Sequence, residues 1–368
     1  MPKQSLLKRF HIWRYKNISQ KNFVYILSVL VGLLAGLAAV TLKNITFFIQ
    51  SLLEHGIIFS QNQLYFILPV LGLLFVYLLN KYVFKKVVAN ETPSFIKRAI
   101  PSVLYSLLRQ KGFLHYKQIY YPLIAAPLTV GFGGSVGLLG PAITSGSAIS
   151  SNLSRLLHID RKTRTLLIAC ASAGAMASMF KSPIAAIVFA VEVFSLDLTF
   201  ASLLPLLIAS ISSVLTSYFF LGDDLLFNFN LTEKFTINDT VFFIILGIGT
   251  GIASLYFTKI YFAIYAFFEN FKTRFLKLVV GGFAIGIMLY FIPPLYGEGL
   301  SFTKDLFNGN YLHALGSNPF DSYIDNIWVV IALLIGFTFF KVIAMTTTFA
   351  AGGVGGIVVP TMVMGSPL

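Results

Sequence analysis

The sequence predicts an all-α membrane protein, a bundle of tilted, broken and re-entrant helices, on three observations. First, 57% of its 368 residues are hydrophobic, 15% aromatic and only 11% charged, and mean hydropathy is +0.81. A soluble domain carries about 25% charged residues, so the polar coat of a water-soluble globule is missing. Second, six apolar stretches are long enough to cross a ~30 Å hydrocarbon core, and none shows the alternation of a barrel strand. Third, four further apolar pieces are short and interrupted by Gly, Pro or charge. Broken helices at membrane depth are tolerated only where they are buried in protein or line a cavity, so the chain is expected to enclose an internal site.

The elements follow in order. Residues 1–22 form a basic arm: Lys3, Lys8, Arg9, Arg14, Lys16 and Lys21 occur with no acid among them. Lys81, Lys85 and Lys86 follow the second span, whereas the intervening connection from Glu54 to Gln63 has no Lys or Arg. That asymmetry predicts a multi-pass cell-membrane protein with a cytoplasmic N-terminus. The formal net charge of +13 then reads as a topology signal and a contact with anionic lipid. There is no room for a folded nucleic-acid reader. The arm also lacks a cleavable-signal pattern, because the apolar run after it is too long for an h-region.

Spanning stretches are predicted at 24–50, 65–84, 199–220, 240–267, 276–295 and 326–345, and short pieces at 118–136, 140–157, 164–180 and 183–196. Pro101, Pro141, Pro183 and Pro360 each open an apolar helical pattern, where proline is tolerated. The polar stretch 223–239 joins a first membrane repeat (23–222) to a second (240–368). Both carry a glycine-rich run ending in proline, Gly131–Pro141 and Gly352–Pro360, and such correspondence points to a repeat-built transporter with its site between repeats.

These runs carry the candidate chemistry. Val130–Pro141 contains five glycines, at 131, 133, 134, 137 and 140. Glycine lets backbone N–H groups approach a ligand closely, and a helix starting at Pro141 turns its free N–H groups and positive dipole end toward an anion. The same logic applies to Ala351–Pro360. Close helix packing through small residues is the structural alternative. A dinucleotide fingerprint is excluded by Val136 at the expected third glycine and by the lack of a strand–helix unit. In a third run, Lys97 and Arg98 directly precede Ile100 and Pro101. An interfacial segment with snorkelling cations is the alternative there.

The rest of the chain excludes function classes. Cys170 is the single cysteine, and no two of the five histidines stand at i, i+4 spacing, so neither a metal site nor a cofactor is implied. Without a nucleophile–base pair, the chain is not expected to be an enzyme. Glu192 is read as the acidic residue inside an apolar span, a candidate functional position by its depth.

In this order and spacing the runs resemble the CLC family of chloride channels and chloride/proton transporters. Ile100-Pro101 is similar to the end of the family's first anion motif, Gly137-Leu138-Leu139-Gly140-Pro141 to its second, and Gly356-Ile357-Val358-Val359-Pro360 to its third. The stretch from Leu166 through Lys181-Ser182-Pro183 to Glu192 resembles a family helix pair, and the likeness covers nearly all of residues 20–368. The resemblance implies a CLC-like inverted-repeat bundle, usually a homodimer in the bilayer. It also implies an anion site contributed by Arg98, Ile100, Gly137, Leu138, Leu139, Gly140, Gly356, Ile357 and Val358. Leu139 stands where the family places a gating glutamate, and Val193 at the inner proton acceptor, so both positions lack an acid. Arg98 replaces the serine of the first motif. The family continues beyond the equivalent of Leu368 with helices that include an anion-site tyrosine. From these departures the expected function is passive transport of chloride or a similar monovalent anion. The alternatives are chloride/proton antiport or a non-conducting membrane subunit.

Overall fold

The computed structural model describes residues 13–14, 16–53, 66–84, 99–197, 199–222, 236–310 and 327–367. Among them the chain is all-α, with α1 (Gln20–Leu53), α2 (Leu68–Tyr82), α3 (Ala99–Arg109), α4 (Lys117–Gly131), α5 (Leu139–Leu156), α6 (Arg161–Phe180) and α7 (Pro183–Phe194). These are followed by α8 (Phe200–Leu221), α9 (Thr240–Glu269), α10 (Arg274–Phe291), α11 (Leu300–Phe307), α12 (Ile327–Ala350) and α13 (Val358–Met364), with 3₁₀ turns at Ile237–Asp239 and Pro293–Leu295. Helices are what an apolar solvent permits, because each satisfies its own backbone groups.

Six described helices are long and apolar enough to cross a membrane: α1, α6, α8, α9, α10 and α12. Two boundaries differ from the sequence reading. The stretch 65–84, expected to span, yields α2 with 15 residues, about 22 Å at 1.5 Å per residue and short of a ~30 Å core. The piece 164–180, expected to be too short, becomes the 20-residue α6 because Asp160 caps it early, its carboxylate accepting the Thr163 N–H at 3.0 Å. An acidic side chain at this position satisfies one of the orphan N–H groups of the first turn.

The prolines read as helix starts lie in first turns. Pro183 opens α7, and Pro101, Pro141 and Pro360 are the third residues of α3, α5 and α13. The first four N–H groups of a helix have no intrahelical partner, so a missing one costs nothing there.

The chain divides into two compact units. The first comprises residues 1–42, 90–123 and 142–224. It is held by small residues: a Cβ on Gly36 of α1 would stand 2.7 Å from Ser213 Oγ of α8. Close backbone approach of this kind is how helices associate where no hydrophobic force acts between them. Serines add hydrogen bonds across the contact, Ser213 to the Gly174 carbonyl at 2.6 Å and Ser217 to the Ser178 carbonyl at 2.9 Å. Arg164 is buried with α6, donating to the carbonyls of Lys111 and Ile159 and lying 4.0 Å over the Phe113 ring.

The second unit comprises residues 43–89, 124–141 and 225–368. Here α10 packs on α2 and α12, and α13 on α11 and α12. Gly286 of α10 admits the Phe66 backbone so closely that a Cβ would fall 2.5 Å from the Phe66 oxygen. The glycine-rich runs ahead of Pro141 and Pro360 both lie in this unit.

Candidate functional site

The two glycine runs fold into one repeated structure, residue for residue. After α4, Gly133 takes φ +93° and the Gly134 N–H returns to the Thr129 carbonyl at 2.8 Å. After α12, Gly352 takes φ +103° and the Gly353 N–H returns to the Thr348 carbonyl at 2.9 Å. Left-handed backbone of this kind selects glycine. The threonine hydroxyls then cross over: Thr348 Oγ1 accepts the Ser135 N–H at 3.2 Å, and Thr129 Oγ1 accepts the Val354 N–H at 3.0 Å. At the centre Gly137 and Gly356 exchange both hydrogen bonds, at 2.9 and 2.7 Å. Two residues further, α5 and α13 begin at equivalent positions, Leu139 and Val358.

This contact leaves no room for a side chain at Gly356 and little at Gly137. A Cβ on Gly356 would lie 2.7 Å from the Gly140 nitrogen, and one on Gly137 would lie 3.0 Å from Val359 Cβ. Tight packing through small residues, the structural alternative weighed from the sequence, is present here, and the same contact sets the starts of α5 and α13 side by side. The amides at both helix starts project where partial positive charge accumulates. Leu138 and Leu139 are buried, Val358 is half-buried and Ile357 is 38% exposed.

A third segment closes on the first turn, and sequence reasoning missed it. It runs through Tyr296-Gly297-Glu298-Gly299, between the Pro293–Leu295 turn and α11. The Tyr296 hydroxyl donates to the Gly131 carbonyl, and its ring fills the space beside Gly133. The Glu298 carboxylate accepts the Leu138 N–H at 2.6 Å. Lys341 of α12, only 1% exposed, donates from Nζ to the Gly297 carbonyl at 3.0 Å and the Leu295 carbonyl at 3.3 Å. Burial pushes the Glu298 carboxyl above the usual glutamate range, while the Leu138 N–H and the charges of Lys43 and Lys341 pull the other way. The available signal was a glutamate between two glycines in a short connection separating apolar spans.

Among the other sequence-predicted positions, Ile100 is half-buried on α3 in the first unit. Arg98 and Lys97 lie outside the described residues, as do Lys85 and Lys86. Val193 is half-buried against the first unit's core, and Glu192 beside it is exposed. An apolar cavity of about 610 Å³, lined by residues that include Ile49, Leu52, Phe75, Leu78, Leu128 and Phe132, lies in the second unit. Apart from Tyr82, its lining side chains are all aliphatic or phenyl and offer no donor to an anion.

Comparison with known proteins agrees with this geometry. The family model described as "Voltage gated chloride channel" matches residues 92–368. An uncharacterized protein of Methanocaldococcus jannaschii is 29% identical over 246 residues, 66% of this chain and 57% of that one. The H(+)/Cl(-) exchange transporter ClcA of Vibrio parahaemolyticus is 23% identical over 354 residues, 93% of this chain and 71% of the relative. Some relatives are matched over only about half their length, 48% for the exchange transporter ClcA of Vibrio campbellii. The crystal structure of a CLC-type fluoride/proton antiporter superposes with a TM-score of 0.74 at 22% identity, covering 94% of this chain and 80% of that one. A slow cyanobacterial Cl-/H+ antiporter gives 0.72 at 18%, covering 94% and 77%. With three quarters of its length inside the family match and the paired glycine turns in place, this multi-pass membrane chain belongs to the voltage gated chloride channel, or CLC, family.

Proposed function

We propose that the chain is the membrane part of a transporter that moves chloride or a similar monovalent anion in exchange for protons. The observation that carries this reading is the reciprocal pairing of Gly137 with Gly356, which brings the starts of α5 and α13 side by side. Anion transport requires replacing a hydration shell without trapping the ion. Partial charges on backbone amides do that, whereas a full cation would raise the exit barrier. Leu138, Leu139, Ile357 and Val358 are the proposed amide donors, on a scaffold of Gly137, Gly140 and Gly356. Ile100 and Arg98 are proposed to contribute from the third run, Arg98 as a vestibule cation that draws anions in.

Exchange fits better than the passive movement expected from the sequence. Relatives that span most of this chain are named exchange transporters, and a carboxylate, Glu298, stands on the Leu138 amide. Passive conduction is the second reading, favoured by Leu139 at the gate position and Val193 at the inner one, neither of which titrates. A homodimer in the cell membrane with a cytoplasmic N-terminus is the proposed setting.

The deciding experiment loads liposomes holding the purified protein with chloride and follows chloride efflux together with lumen pH. Exchange gives opposed chloride and proton movement. Chloride loss without proton movement would replace exchange with passive conduction, and absence of both would indicate a non-conducting subunit.

A further inference from the structure

We propose that Glu298 is a built-in competitor for the anion, a carboxylate from the α10–α11 connection that holds the Leu138 amide until it is protonated or displaced. The proposal rests on the anion-site reading above and adds its regulation.

Glu298 Oε1 accepts the Leu138 N–H at 2.6 Å. That N–H lies one residue before α5, where the dipole favours negative charge. A chloride at the same donor and the carboxylate cannot occupy it together, so one must leave for the other to bind.

The segment carrying Glu298 is fixed at three points. Tyr296 is tied to the Gly131 carbonyl, and Lys341 binds the Gly297 and Leu295 carbonyls. Gly299, at φ +83°, caps the start of α11, with Lys341 Nζ 3.3 Å from where a Cβ would stand. Lys341 is therefore a positioning residue: its full burial is explained by holding this turn.

The charged groups acting on Glu298 are Lys43 of α1 and Lys341 of α12. They keep a carboxylate tolerable there, while burial raises its proton affinity. Protonation removes the charge that competes with chloride, and the neutral acid is a weaker acceptor for the amide. Anion affinity should therefore rise as pH falls through the raised Glu298 titration.

Chloride binding to the full chain in detergent, measured by calorimetry between about pH 5 and pH 8, tests this. The unmodified protein is expected to bind roughly tenfold more tightly at the acid end, a difference of about 1.4 kcal/mol. Glu298→Gln keeps the shape without the charge and should bind at the acid-end level throughout. A second reading needs no variant: below the titration no net proton uptake accompanies chloride, whereas above it chloride addition to a weakly buffered sample should take up protons. Chloride binding that is equally tight at both pH values in the unmodified protein, or a pH dependence that survives in Glu298→Gln, would overturn the competitor role while leaving the amide site standing. No chloride binding at either pH in either protein would overturn both readings.

Discussion

Thr129 and Thr348 serve each other's turns. Each hydroxyl, itself donating to the carbonyl four residues earlier, accepts a backbone N–H from the opposite glycine run, Val354 to Thr129 and Ser135 to Thr348. The two turns thus share one hydrogen-bond network, and neither can be displaced without leaving buried donors unpaired in the other.

Thr129→Val and Thr348→Val should therefore destabilise by similar amounts, about 1–3 kcal/mol each, since each strands a backbone donor without changing side-chain shape. Thermal unfolding in detergent checks this. A double variant that loses less than the sum of the singles is expected for members of one network.

Gly356→Ala should damage both stability and transport. Its Cβ would meet the Gly140 nitrogen at 2.7 Å, backbone that cannot swing away as a side chain would. Overpacking of this kind costs about 1–3 kcal/mol, and separating Gly137 from Gly356 would misplace the amides at both helix starts. Anion flux should fall well below that of the unmodified protein. Normal flux with an unshifted melting temperature would show that the close approach is dispensable.

Leu139→Glu should make flux strongly pH-dependent. A carboxylate there would join Glu298 beside the same helix start, and two like charges at one site disfavour each other's ionised form. Flux is expected to be lower near neutral pH and to recover as the new acid is protonated toward about pH 5, where carboxylates titrate. Flux measured across that interval decides it.

Glu192→Gln should leave anion flux intact and stability within roughly 0.5 kcal/mol, as for most surface changes. Glu192 is exposed near the end of α7, in contrast to Glu298, whose carboxylate engages a backbone amide. Loss of flux in liposomes would assign the intramembrane carboxylate role to Glu192.

The sequence by itself determined the membrane class, the order of the helices and the two glycine runs. Apolar run length and helix-starting prolines act locally, so α1, α8, α9, α10 and α12 lie close to where hydropathy placed them. Boundaries set by a cap or an early turn were less legible: Asp160 lengthens α6, and α2 stops short of a full crossing. The likeness between Gly131–Pro141 and Gly352–Pro360 was readable because left-handed turns and close approach both demand glycine at fixed positions. That Gly137 and Gly356 exchange hydrogen bonds was decided only by tertiary structure. So was the role of Glu298, because a carboxylate's partner depends on which distant N–H the fold brings within 3 Å. In the sequence, Glu298 was one polar residue in a connection and Lys341 an isolated cation in an apolar span. Only folding, which buries that lysine against the carbonyls of Leu295 and Gly297, sets the carboxylate on the Leu138 amide and gives either residue a function.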